Sequence, residues 1–183
     1  MKVKKFKHLK KYGNLTGQYY KGGIECSVSR LDSLEGAPKK VTMDFWCNVN
    51  NLETLKGAPE VVGKNFFCNY NNDLISLEGA PKVVNGSFSC SSSRSLETLE
   101  GAPKYVGEGF DCEYCPNLES LVGFPEHVGT FIECDKKLKK GENLYLMANA
   151  LINGCFTRYN ENRSMAAKEQ IIYENVLLEY FSD

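Results

Sequence analysis

No stretch of the 183 residues approaches the ~18 apolar side chains that a membrane span requires, so the sequence offers no transmembrane helix. Histidine is nearly missing. His8 and His127 are the only two, which leaves any histidine-containing metal site short of ligands. Acidic residues are absent from residues 1–12, which hold six lysines: Lys2, Lys4, Lys5, Lys7, Lys10 and Lys11. No apolar h-region follows them, so the segment is a poor signal peptide. With a net charge of −1 overall, the rest of the chain sums to −7, which argues against a nucleic-acid-binding surface there. The remaining expectation is a soluble chain of one or two small domains, 42% hydrophobic.

What the sequence has in abundance is repetition. Gly-Ala-Pro stands at Gly36–Pro38, Gly57–Pro59, Gly79–Pro81 and Gly101–Pro103, with an altered copy at Gly123-Phe124-Pro125, in steps of 21 or 22 residues. Five residues after each Gly comes a valine (Val41, Val62, Val84, Val106, Val128). Nine after comes Phe45, Phe66, Phe88, Phe110 or Ile132, and eleven after comes Cys47, Cys68, Cys90, Cys112 or Cys134, with Cys26 one period earlier. A Leu-x-x-Leu pair precedes every triplet: Leu31/Leu34, Leu52/Leu55, Leu74/Leu77, Leu96/Leu99 and Leu118/Leu121. This many positions in phase define a repeat protein.

Phe-x-Cys alternates with the period of a strand, so Phe and Cys share one side and the residue between them faces the other. Three residues past the Cys is a polar slot: Ser29, Asn50, Asn71, Ser93. Leu, Leu, Val, Phe and Cys then all point into one interior, which a single coil cannot bury and stacked coils can. Six of the eight cysteines occupy one interior slot, which reads as a small packing residue in a reducing compartment rather than a disulfide framework.

Carried on these residues, L-x-x-L…V-x-x-x-F-x-C-x-x-N-x-L resembles a short-period leucine-rich repeat over about 110 residues. The variant Leu31-Asp32-Ser33-Leu34-Glu35-Gly36-Ala37-Pro38 is similar to repeats of bacteriophage and large-virus proteins. The resemblance implies a leucine-rich-repeat solenoid of short parallel strands with a mostly irregular convex side. It implies a protein partner, by analogy a host protein that is inhibited in the host cytoplasm.

The repeat is its own control for motifs. In Cys112-Glu113-Tyr114-Cys115, Cys112 fills the interior slot and Cys115 the polar slot, so a zinc or redox pair is not indicated. His127 takes the slot of Lys40, Val61, Val83 and Tyr105. No catalytic constellation emerges; no enzyme, metal or cofactor is expected. Coil-to-coil variation lies on the outward strand face. One column reads Glu25, Trp46, Phe67, Ser89, Asp111, Glu133, and the column after the Cys reads Ser27, Asn48, Asn69, Ser91, Glu113, Asp135. Trp46 and Phe67 should stand side by side as apolar anchors, with Asn48 and Asn69 beside them. Asp111, Glu113, Glu133 and Asp135 should cluster at the other end, the make-up of a protein-binding face. The alternative is that a terminus folds over the aromatics.

The expected segments are 1–23 as a basic cap with a short amphipathic helix (Phe6, Leu9, Tyr12), 24–135 as repeats, and 136–183 as a helical hairpin capping the last coil. In that tail Leu144, Met147, Ala148 and Leu151 form a stripe, and Ser164 begins a second helix to Phe181. Its Ile171–Phe181 part is apolar on more than one side, so the alternative to a cap is homodimerisation. Rival functions are nucleic-acid binding through the lysine segment and an oligomeric structural role.

Overall fold

In a computed structural model, residues 3–138, 143 and 146–150 are described. The repeats wind into a parallel β-solenoid. Each rung has two short strands: β1 (Tyr19–Tyr20) with β2 (Ile24–Glu25), β3 (Lys40–Val41) with β4 (Phe45–Trp46), and β5 (Val61–Val62) with β6 (Phe66–Phe67). Then follow β7 (Val83–Val84) with β8 (Phe88–Ser89), β9 (Tyr105–Val106) with β10 (Phe110–Asp111), and β11 (His127–Val128) with β12 (Ile132–Glu133). The odd strands stack as one six-stranded sheet and the even strands as another. Six rungs thus bound five full coils, each returning through its Leu-x-x-Leu arm. The sequence pattern predicts one strand per coil, at Phe-x-Cys. A second forms at the valine, where the hydrogen bonds of neighbouring coils continue (Gly63 N to Val41 O, 3.0 Å; Asn85 N to Val62 O, 3.0 Å).

The interior is made of columns. The rings of Phe45, Phe66, Phe88 and Phe110 stack in offset parallel steps of 5.4, 5.5 and 5.4 Å, and each such pair adds about 0.5–1.5 kcal/mol beyond its buried area. At both end rungs the slot holds isoleucine, and a phenylalanine from elsewhere supplies the missing ring. Phe6 lies over Phe45 at 6.3 Å, and Phe124, the substituted residue of the altered triplet, meets Phe110 edge-on at 4.9 Å. The Leu pairs, the valines and Cys47, Cys68, Cys90 and Cys112 are fully buried. All seven cysteines among the described residues are free thiols. The glycine of the triplet is required twice over: Gly79 has φ +85°, and a Cβ there would lie 2.6 Å from the backbone of Lys56 in the preceding coil.

The polar slot bolts coils together. Asn50 Oδ1 accepts from the amides of Ser29 (3.1 Å) and Leu31 (2.9 Å), while its Nδ2 donates to the carbonyls of Cys26 (3.1 Å) and Cys47 (3.0 Å). Asn71 repeats the arrangement on Asn50, Cys47 and Cys68. Ser93, equally buried, is too short to copy it, and its Oγ has no partner among the described residues. Cys115 fills the same slot with its Sγ directed at the carbonyls of Cys90 and Glu113.

The first coil is covered by the chain before it. Residues 4–7 pair with Asp32–Glu35 as a further coil would: Phe6 N donates to Ser33 O (3.0 Å), Lys7 N to Glu35 O (3.0 Å) and Asp32 N to Lys4 O (2.8 Å). The expected amphipathic helix shrinks to a single 3-10 turn, Phe6–His8, because this pairing claims the backbone on its N-terminal side. Phe6 is buried, with Leu9 and Tyr12 packed around it. At the other end Lys136–Leu138 is a 3-10 turn, and residues 143 and 146–150 have helical backbone. There Asn143 Oδ1 accepts from Leu121 N at 2.9 Å, a place taken in an inner coil by the next coil's carbonyl (Leu55 N to Glu78 O, 2.8 Å). Met147, Ala148 and Ala150 are buried. This short helix does not amount to the expected hairpin. Leu144, Leu151, and the second helix with its dimerising Ile171–Phe181 stretch, lie outside the described residues. Among the described residues no helix is long and apolar enough to cross a membrane.

Candidate functional site

The sheet of even strands holds its outward column in strict register: Glu25, Trp46, Phe67, Ser89, Asp111, Glu133. Pleating turns these side chains out while the adjacent Phe and Cys turn in. Trp46 is 38% exposed and Phe67 is half-buried. The two are directly paired. The N-terminal segment borders Trp46 without covering it: Lys11 and Tyr12 line a cavity of about 180 Å³ together with Ile24, Glu25, Asp44 and Trp46. Tyr12 closes the edge of β2 instead. Its hydroxyl accepts from Glu25 N (3.0 Å) and lies 3.2 Å from Glu25 O, taking the place of a neighbouring strand.

The second outward column works for the fold as well as for the face. Asn48 Oδ1 accepts from the Asn69 amide at 2.8 Å and Asn69 Oδ1 from the Ser91 amide at 3.1 Å, each side chain tying its coil to the next. Both asparagines are half-buried, so only part of each is offered to a partner.

Three of the four expected acids gather, and Asp135 is not in the group. Oxygens of Asp111, Glu113 and Glu133 lie within 4.8 Å of one another. They are the one group of that kind among the described residues. Asp111 is partly engaged: Oδ1 accepts from Glu113 N (3.0 Å) and Oδ2 lies 2.6 Å from Ser89 Oγ. Asp135 Oδ1 accepts from Tyr114 N at 3.1 Å. Glu113 and Glu133 have no cation beside them among the described residues. Four carboxylates elsewhere do: Lys39–Glu60, Lys56–Glu78 and Lys104–Glu126 pair from coil to coil, and Glu35 is gripped by Lys5 and Lys7.

Two features of the surface escape the two-column reading. Phe131, 46% exposed, stands in a slot that holds Gly23, Asp44, Asn65, Ser87 and Gly109 in the other coils. Its ring tip overhangs Gly109, where a Cβ would lie 2.1 Å from Cζ. Between Phe131 and Phe67 is a notch of about 280 Å³ with Asn69, Ser87, Ser89, Asp111 and Glu133 in its lining. The other feature is the corner two residues past each Cys, where Val28, Val49, Tyr70, Ser92 and Tyr114 all adopt φ between +52 and +58°. This left-handed corner swings the chain from strand to arm. It leaves Val28, Tyr70 and Tyr114 among the most exposed apolar side chains of the described residues, at 72, 56 and 69%. Tyr70 and Tyr114 flank a cavity of about 400 Å³ with Asn72, Ser92 and Arg94. A large apolar residue in a slot that is small or polar in sister coils is the sequence signal for Phe131. For the corner, the signal is the column one step beyond those read.

His127 stacks on Tyr105 at 4.2 Å as part of the opposite sheet, away from the acids. Burial raises the Cys115 thiol to about 11 and that of Cys26 to about 12, and puts those of Cys47, Cys68, Cys90 and Cys112 well above 9.0. Such thiols are poor nucleophiles and poor metal ligands. Compared with protein-family models, curated proteins and solved structures, the chain matches none.

Proposed function

We propose that the chain is a non-enzymatic protein-binding module that meets its partner with the outward face of the even-stranded sheet. The observation that carries this reading is the uncompensated make-up of that face. Trp46 and the half-buried Phe67 are adjacent on the surface, while Asp111, Glu113 and Glu133 bring their oxygens within 4.8 Å of one another with no cation beside them among the described residues. Trp46 and Phe67 anchor the contact, and the carboxylates from Asp111 to Asp135 steer a basic surface toward it.

The Asn50–Asn71 ladder supports placing the coils among leucine-rich repeats, since these asparagines satisfy loop backbone groups as the repeat asparagine of that family does. The likeness of the Leu-x-Ser-Leu-Glu-Gly-Ala-Pro repeats to phage and large-virus proteins supports a host protein as partner and the host cytoplasm as the place of action. The nucleic-acid alternative is weakened because four of the six lysines of the segment have partners within the chain. Lys5 and Lys7 hold Glu35, Lys4 Nζ donates to Ser29 O at 2.6 Å, and Lys11 Nζ lies 4.9 Å over the ring of Tyr12.

The test is a pull-down from nuclease-treated bacterial lysate, comparing the natural chain with a Trp46→Ala/Phe67→Ala double variant, followed by binding of the purified captured protein. Capture by the natural chain and loss by the still-folded variant is the expected result. Equal capture by both would remove the strand face from consideration.

A further inference from the structure

We infer that the notch between Phe67 and Phe131 receives the guanidinium of an arginine side chain from the partner protein. The inference rests on the strand-face reading and gives that face a chemical key. The notch holds about 280 Å³, just below the range of roughly 300–1,000 Å³ for drug-sized ligands, and so suits a single long side chain. Its two walls are phenyl rings, Phe67 on one rung and the overhanging Phe131 at the far side, and its polar floor is Ser89, 5% exposed.

The floor is rich in acceptors, with Ser91 Oγ 3.4 Å from Ser89 Oγ as a further hydroxyl. Ser89 Oγ lies 2.6 Å from Asn69 Oδ1 and 2.6 Å from Asp111 Oδ2, yet a hydroxyl has one proton and can donate to only one of them. Turning the Asn69 amide over would give up the bond that its Oδ1 accepts from the Ser91 amide at 3.1 Å. A donor entering from the open side would bond the oxygen to which Ser89 does not donate. Around the same opening, Glu133 and Glu113 add negative charge without a cation among the described residues. Guanidinium answers all three features: it is flat enough to lie against aromatic rings, has five N–H donors in a fixed fork, and keeps its charge. An ammonium would meet the charge but not the planar walls. A divalent cation would use the carboxylates and leave Phe67 and Phe131 without a part.

Trp46, the only tryptophan and the strand partner of Phe67, is a built-in reporter. The full chain is titrated with tri-arginine, tri-lysine and tri-citrulline peptides while Trp46 emission and the amide resonances of Ser89, Gly109, Asp111 and Glu133 are followed. The expected result is saturable shifts at these residues with arginine several-fold tighter than lysine. Citrulline, of the same shape but uncharged, should not bind. Phe131→Ala, which alters an exposed wall, should bring arginine down to the lysine level, and Ser89→Phe, which fills the notch and keeps every charge, should abolish binding. Equal affinity for arginine and lysine, or displacement of the peptide by calcium ion alone with the same residues shifting, overturns the inference. With the captured partner in hand, retention by Ser89→Phe but loss by Trp46→Ala/Phe67→Ala sinks the notch and leaves the face standing. A partner indifferent to both variants sinks the two readings together.

Discussion

Phe66 and Phe67 are consecutive, carry the same side chain and belong to the same two-residue strand, yet they serve opposite ends. Phe66 is fully buried between Phe45 and Phe88, and Phe67 stands beside Trp46 at the surface. The inward column keeps phenylalanine through four rungs, whereas the outward one runs Glu25, Trp46, Phe67, Ser89, Asp111, Glu133. A repeat that is constrained inside and free outside separates stability from recognition along a single bond of the backbone. Substitutions that cross this boundary measure how complete the separation is.

The strongest contrast comes from alanine at each of the two positions. Phe66→Ala is expected to cost about 3–5 kcal/mol, because the ring it removes is packed on both faces and the stack cannot collapse into the gap. Phe67→Ala is expected to cost about 1 kcal/mol or less while weakening capture of the partner. Urea denaturation of both variants reads the first effect, and binding to the captured protein reads the second.

A polar pair tests the same boundary. Asn71→Ala removes bonds to the carbonyls of Cys47 and Cys68 and to the Asn50 amide, and is expected to cost about 1–3 kcal/mol by leaving buried groups without partners. Asn69→Ala should cost less, since Asn69 is only half-buried, and should disturb the notch through Ser89. A third contrast uses chemistry in place of mutation. In a Cys155→Ser background, a thiol reagent at neutral pH should leave the buried ladder thiols unmodified until the chain is unfolded, because burial keeps them protonated. A fast-reacting thiol in the native chain would mean that the coils open locally.

The smallest effect concerns the first coil. Hydrogen bonds from Lys5 and then Lys7 hold the Glu35 carboxyl down to about 2 from its ordinary 4.5. The stabilisation is therefore complete above the ordinary value and is lost as the pH falls through about 2. Amide exchange at Lys7, which donates to Glu35 O, should quicken over that window. Glu35→Gln should flatten the dependence.

Much of the fold is legible in the sequence because every interior position is written four or five times. Val62, Phe66, Cys68 and the Leu pairs announce a buried lining by recurrence alone, and Trp46 and Phe67 stand out as exceptions in a column that is otherwise polar. The second sheet is not legible, since two-residue strands such as Lys40–Val41 are too short to show an alternation. Phe131 is hidden by standing next to Ile132, the residue that keeps the period. The role of Phe124 emerges only in three dimensions: replacing alanine in the triplet looks like decay of the repeat, and it instead restores the ring that Ile132 lacks. Asn48 and Asn69 read as residues of the face alone, because a hydrogen bond to the next coil leaves no mark in the sequence.

A coil of this solenoid is complementary to its own copy, so nothing in its geometry tells it to stop growing. Termination has to be added. At the first rung Tyr12 does so with one oxygen, occupying the donor and acceptor of Glu25 that another molecule's strand would otherwise template on. Phe6 caps the ring stack beneath it. A chain without that hydroxyl would leave the N–H and C=O of Glu25 open at the sheet edge. The consequence is that this end is closed twice over, on the arm by residues 4–7 and on the sheet by one phenol, so the edge beside Trp46 and Phe67 offers no free pair of backbone groups at Glu25 for another strand to extend.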